Sequence, residues 1–255
     1  MKILMGRHVF GLAAILFGIV ILLYCRDSNI WQQFQPFRNV PHPEILACVV
    51  GAIEFFGGFA LQWRKTAQVG AVALGAIFLL FTSLWIPRIV THPAVYGSYG
   101  SFFEQFSQFS GALIVFASLR ASDSEPLAWA ARLGYIFFGA CVISFTLAQL
   151  FYLSITASLV PKWIPPGQMF WAIVTTIAFA LAAIALLSGR MALLAARLLA
   201  AMLIGFGLLV WVPAIFADPH NLTNWTENAE TLVIAGAAWI VADYLSQSRR
   251  ASTAP

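Results

Sequence analysis

Residues 67–86 read AQVGAVALGAIFLLFTSLWI, twenty consecutive positions without one charged side chain, bounded by Arg64-Lys65 before and Pro87-Arg88 after. A helix needs about 20 such residues to cross a hydrocarbon core of about 30 Å. A surface helix of a soluble protein would carry polar residues along one face, and this run has none to spare. Working outward, comparable apolar segments occur at 7–25 and 45–63 upstream, and at 103–119, 131–151, 169–188, 192–212 and 228–246 downstream. The expectation is an all-α membrane protein with eight transmembrane helices. Composition agrees, with 61% hydrophobic and 9% charged residues against roughly 45–50% and roughly 25% in soluble domains. The first segment is expected to be retained, because Leu22-Leu23-Tyr24 before Cys25 lacks the small residues of a cleavage site.

Lysines and arginines flanking the spans set their orientation. With eight spans, Lys2, Arg7, Arg64, Lys65, Arg120, Arg132, Arg190, Arg197, Arg249 and Arg250 fall on one side, and Arg26, Arg38, Arg88 and Lys162 on the other. Ten against four predicts that the N- and C-termini are both cytoplasmic. The net charge of +4 is then topological, and no nucleic-acid surface is read into it. The expected partner is the lipid bilayer.

The same chain reads as two copies. Trp85-Ile86-Pro87 with Thr91-His92-Pro93 returns as Trp211-Val212-Pro213 with Ala217-Asp218-Pro219. A glutamate follows the later proline of each copy by eleven residues, as Glu104 and Glu230. Ser110-Gly111-Ala112 is echoed by Ala235-Gly236-Ala237 after a one-residue gap, Arg64 by Arg190, and Val40-Pro41 by Ile164-Pro165. Four spans per copy make a parallel repeat, with both copies facing the same way. The expected units are 1–121 and 131–255, joined by a polar linker at 122–130. No span reads as broken mid-membrane by paired Gly and Pro. The copies differ at Glu54, which aligns with Ala178, and at Gly51 and Gly58, which align with Thr175 and Ala182. The chemistry is therefore expected in the first half.

These features resemble the DoxX-like family of small four-helix membrane proteins. The resemblance is carried by Gly51-Ala52-Ile53-Glu54-Phe55-Phe56-Gly57-Gly58, by Trp85 to Pro87, and by Gly97-Ser98-Tyr99-Gly100 with Phe103-Glu104. It covers roughly residues 7–119 well and the second half weakly. Family members are often single four-helix units, and this chain departs from them as a tandem pair. The resemblance implies a bacterial inner-membrane protein, in some members linked to quinone chemistry, and fixes no reaction.

Glu54 is the sharpest single feature, since a carboxyl group at mid-membrane costs at least about 2.5 kcal/mol on insertion scales and faces a bundle interior. Gly51 and Gly58 share its helical face and admit a neighbouring helix closely. It reads as a proton-accepting or ligand-binding acid, or as a protonated group hydrogen-bonded across helices. Glu104, with Ser107, Gln108 and Gly111, forms a polar stripe at the outer mouth of the fourth span; it lines a cavity or meets interfacial water. His92, with Trp85, Arg88 and Tyr99, is expected in an external loop rich in Pro, Gly and aromatics, and Trp85, Arg88 and His92 join Glu54, Glu104 and Gln108 as candidate ligand-binding residues. The histidines are scattered and carry no metal-ligand spacing, so no metal is expected. Cys25 and Cys48 lie at the outer ends of adjacent spans and form a candidate redox pair, with unbonded, hydrophobe-like cysteines as the favoured reading. Outer-loop Trp31, Phe34, Phe37, Trp163, Trp211 and Trp225 read as an interfacial aromatic belt, with a lid over a quinone or other lipid-soluble ring as the alternative.

Three function classes follow. The leading one is a quinone-linked redox accessory or subunit, with a quinone as candidate cofactor and a redox protein as candidate partner. The second is a transporter or binder of another small lipophilic molecule. The third is a membrane anchor or structural partner without activity of its own. Whether the chain is an enzyme is left open by these residues.

Overall fold

The computed structural model describes residues 5–26, 41–119 and 125–252. Trp31, Phe34, Phe37 and Arg38 lie outside them, as do residues 120–124. All regular structure among the described residues is helical: α1 (Met5–Tyr24), α2 (Pro43–Ala60), α3 (Ala67–Thr91), α4 (Tyr96–Ser118), α5 (Glu125–Phe151), α6 (Leu153–Leu159), α7 (Gln168–Ser188), α8 (Ala192–Phe206), a π-helical turn (Gly207–Trp211), α9 (Val212–Ala217) and α10 (Leu222–Ser252). Seven helical stretches are long and apolar enough to cross a membrane: 5–24, 43–60, 67–91, 127–151, 168–188, 192–217 and 222–248. This is a multi-pass membrane protein. Its lipid-facing surface is built from exposed Leu12, Leu23, Phe56, Val72, Leu80, Ile177, Leu181 and Leu198, side chains that a soluble protein would not leave in such numbers.

α4 is as long as its neighbours but is excluded from the seven by composition. Its inward face carries Ser98, Ser101, Gln105, Ser107, Gln108 and Ser110, all buried. Such a stripe is stable only against other protein.

Three boundaries differ from the sequence expectation. α3 runs through Pro87 to Thr91, so the turn to α4 is short and Tyr99 is helical rather than part of a loop around His92. One missing N–H is all that the proline removes, and the apolar pattern continues past it. α5 starts at Glu125, inside the expected linker, because an acidic residue followed by proline is a favourable helix start; the apolar signal only marks where the helix enters the membrane. The stretch 192–217 is interrupted after all: the Val212 N–H bonds the Gly207 carbonyl five residues back. Gly205, Gly207 and Pro213 surround the break, and a widened turn of this kind accommodates a proline that cannot donate.

The packing has a simple order. α1 is sandwiched between α2 and α10, α4 lies between α3 and α5, and α4 and α10 run side by side. α7 packs on α5 and α8, and α8 packs on α10. Small residues set the close approaches: a Cβ on Gly58 would stand 2.5 Å from the Gly11 carbonyl of α1. α1 starts at the end of the bundle where α10 finishes, fixed by a 2.7 Å bond from the Gly6 N–H to Asp243 Oδ2. This end is the near face; the α3–α4 turn and residues 160–167 and 218–221 lie at the far face. One apolar core, running from Phe10, Phe17 and Phe78 to Phe138, Leu199 and Val233, joins the two sequence halves.

Candidate functional site

A cavity of about 450 Å³ opens within the far half of the bundle, a size usual for sites that hold small organic ligands. α5 supplies Phe145, Ala148 and Gln149, α6 and the segment after it Thr156, Leu159, Val160, Pro161 and Ile164, α7 Trp171, Thr175 and Phe179, and α10 Thr231 and Ile234. The remaining wall is Met202 to Trp211, where α8 gives way to the π-helical turn. Leu209, Val210 and Trp211 of the widened turn belong to the wall. Gly205 also lines the cavity, and a Cβ there would meet nothing within 4 Å. Among the described residues of the first sequence half, only Glu104 reaches it.

The lining is therefore apolar and aromatic with a few placed polar groups. Gln149 accepts from Thr176 Oγ1 at 2.9 Å and Thr175 Oγ1 at 3.3 Å through its carbonyl oxygen. Among the described residues its amide nitrogen donates to nothing.

Glu104 stands at the end of a polar seam between α4 and α10. Glu227 is close enough for its charge to act on Glu104. One turn on, Glu230 Oε1 accepts from Gln105 Nε2 at 2.6 Å and from Gln108 Nε2 at 3.0 Å. These charge-assisted bonds tie α4 to α10 across the two halves. Gln105 Oε1, Gln108 Oε1 and Asn228 Oδ1 are buried there without a donor. Among the described residues no group of three acidic, histidine or cysteine side chains is arranged to hold a metal.

The other sequence-selected residues lie elsewhere. Glu54 is 1% exposed, and neither carboxyl oxygen has a hydrogen-bond partner. Its neighbours Gly51 and Gly58 abut α1 while Gly57 abuts Leu74 of α3, so the side chain enters the seam between those helices. It does not line the cavity. Trp85 is buried, with the exposed Arg88 guanidinium 6.0 Å from its ring centre, and exposed His92 bonds Thr91 Oγ1 through Nδ1 at 2.8 Å. Cys25 and Cys48, contrary to the favoured reading as unbonded cysteines, are joined by a disulfide with Cα atoms 5.4 Å apart. The bond ties the far end of α1 to the first turns of α2; free Cys141 is buried.

Sequence reasoning missed Gln149, Thr175 and Glu227. The available signal was the register of the repeat, which sets Glu230 opposite Glu104 and so marks the α4–α10 seam. No protein family, curated protein or solved structure matches the chain.

Proposed function

We propose that this is an eight-span bacterial inner-membrane protein of the DoxX-like type, built by duplication, that holds a small lipophilic molecule between its helices. The cavity carries the reading: about 450 Å³, aromatic and aliphatic walls, and few polar groups suit a molecule that arrives through lipid. α4 counts as the eighth span on length, its polar stripe being turned inward. The packing order supports the duplication. α1 lies on α10 as α5 lies on α4, α3 on α4 as α8 on α10, and α1 on α2 as α5 on α7. The arginine and lysine bias and the far-face disulfide, a bond of oxidising compartments, support cytoplasmic termini.

A quinone-linked role is the second reading. Its support is the resemblance together with Gln149, whose unengaged amide could donate to a ring carbonyl inside an aromatic pocket.

Gly205→Phe tests the cavity. It adds a ring into open space, so the variant is expected to fold, to keep its thermal midpoint, and to lose any lipophile that copurifies with the wild type on gentle extraction. Mass spectrometry reads the result and also separates a quinone from other classes. Equal amounts of the same molecule on both proteins would overturn the assignment.

A further inference from the structure

We propose that the cavity selects lipophilic cations, seating the positive group beside Glu104 and the apolar body among the aromatic residues of α5, α7 and the π-helical turn. The inference rests on the reading that the cavity binds a lipophile, and adds the charge of that lipophile. Three observations converge on it.

The first is the sign of the lining. Among the described residues Glu104 is the one charged residue in the lining, and no lysine, arginine or histidine lines it. Among the described residues neither Glu104 nor Glu227 has a salt-bridge partner. Two acidic groups near each other in a poorly screened interior do not both ionise on their own, and a cation between the seam and the cavity would favour their charged forms and be held by them.

The second is an imbalance of donors. Gln105 Oε1, Gln108 Oε1 and Asn228 Oδ1 are acceptors left empty, on residues 2%, 0% and 7% exposed. An unsatisfied buried polar group costs roughly 1–3 kcal/mol. Both glutamine amide nitrogens are already committed to Glu230. These residues stand behind Glu104 and not in the cavity wall, and their unpaired oxygens turn the negative ends of their dipoles into the seam beside it, which favours a cationic ligand at that end and disfavours an anionic one.

The third is the rest of the wall. Phe145, Trp171, Phe179, Phe206 and Trp211 line the same space, and aromatic faces attract organic cations by roughly 0.5–2 kcal/mol each. An aromatic box with one acidic end distinguishes a cationic from a neutral molecule of equal size.

The test uses the purified full-length protein in detergent, with tetraphenylphosphonium as cation, triphenylphosphine oxide as neutral probe and tetraphenylborate as anion, by equilibrium dialysis. The expected result is that the cation binds at least about tenfold more tightly than the neutral probe, the size of one favourable charge contact, and that the anion binds least. Glu104→Gln should bring cation and neutral affinities to within about twofold, while Glu104→Asp, which keeps the charge, should preserve the preference. Gly205→Phe should abolish binding of both. If the neutral probe binds as well as the cation and Gly205→Phe removes both, charge selection is overturned while the cavity assignment stands. Cation binding that survives Gly205→Phe, or no binding by any probe, overturns both.

Discussion

Glu230 is the side chain on which the two halves meet. Replacing it with alanine strands the amide donors of Gln105 and Gln108 in a buried seam, at a cost of roughly 1–3 kcal/mol for each group left unsatisfied. Glu230→Gln keeps an acceptor and should lose less. Thermal unfolding in detergent is expected to rank wild type above Glu230→Gln above Glu230→Ala; an alanine variant as stable as the wild type would show that the seam is not structural. Glu54 illustrates what sequence can and cannot give at this scale. Its burial was legible, because a carboxylate among glycines on an apolar helix has nowhere else to go. Its lack of partners and its distance from the cavity wall were not, since both depend on which helices surround it. Glu104 was legible through its stripe and its position at a helix mouth. Gln149 was not, because one amide among Leu, Ala and Phe has no pattern, and only the approach of Thr175 and Thr176 gives it an orientation.

Among the helices, two glycines make a controlled contrast. Gly236 on α10 touches α1 so closely that a Cβ would lie 2.5 Å from the Phe10 Cα, whereas Gly205 on α8 faces open space. Gly236→Ala is expected to lower stability by more than about 2 kcal/mol, through forced separation of the helices. Gly205→Ala should raise it by up to about 1 kcal/mol, by helix propensity. Paired thermal or denaturant unfolding measures both, and similar outcomes for the two would refute the close α1–α10 packing. The seven long apolar helices were readable from apolar length, whereas the short α6 was not. The ends were not: polar first turns, as at Glu125 of α5 and at Leu222 to Trp225 of α10, lie where hydropathy already falls. The π-helical turn also escaped, because a chain with Gly205, Gly207 and Pro213 spread over nine positions gives no sign of which bond will open.

At the scale of the molecule, orientation is the open quantity with the plainest measurement. Ser188 lies at the near face and Pro219 at the far face, both exposed. In spheroplasts, Pro219→Cys is expected to react with a membrane-impermeant maleimide and Ser188→Cys only after permeabilisation. The reverse pattern would invert the topology. The proposed division into consecutive units rests on sequence echoes, and such echoes say nothing of how two units would embrace. That α1 leans on α10 and α4 on α5 is a matter of three-dimensional pairing, which sequence similarity between the halves leaves undecided.

That interleaving has a consequence for how the protein is made. Gly6 and its partner Asp243 are 237 residues apart, so at about 5–20 residues per second the ribosome needs roughly 10–50 s to supply the helix that covers α1. During that interval the groove of Gly6 and Phe10 is open to lipid, to a neighbouring nascent chain or to an insertion chaperone. Closure of the bundle over α1 is thereby timed by the emergence of α10, and a ribosome stalled before α10 would leave α1 without the helix that covers it.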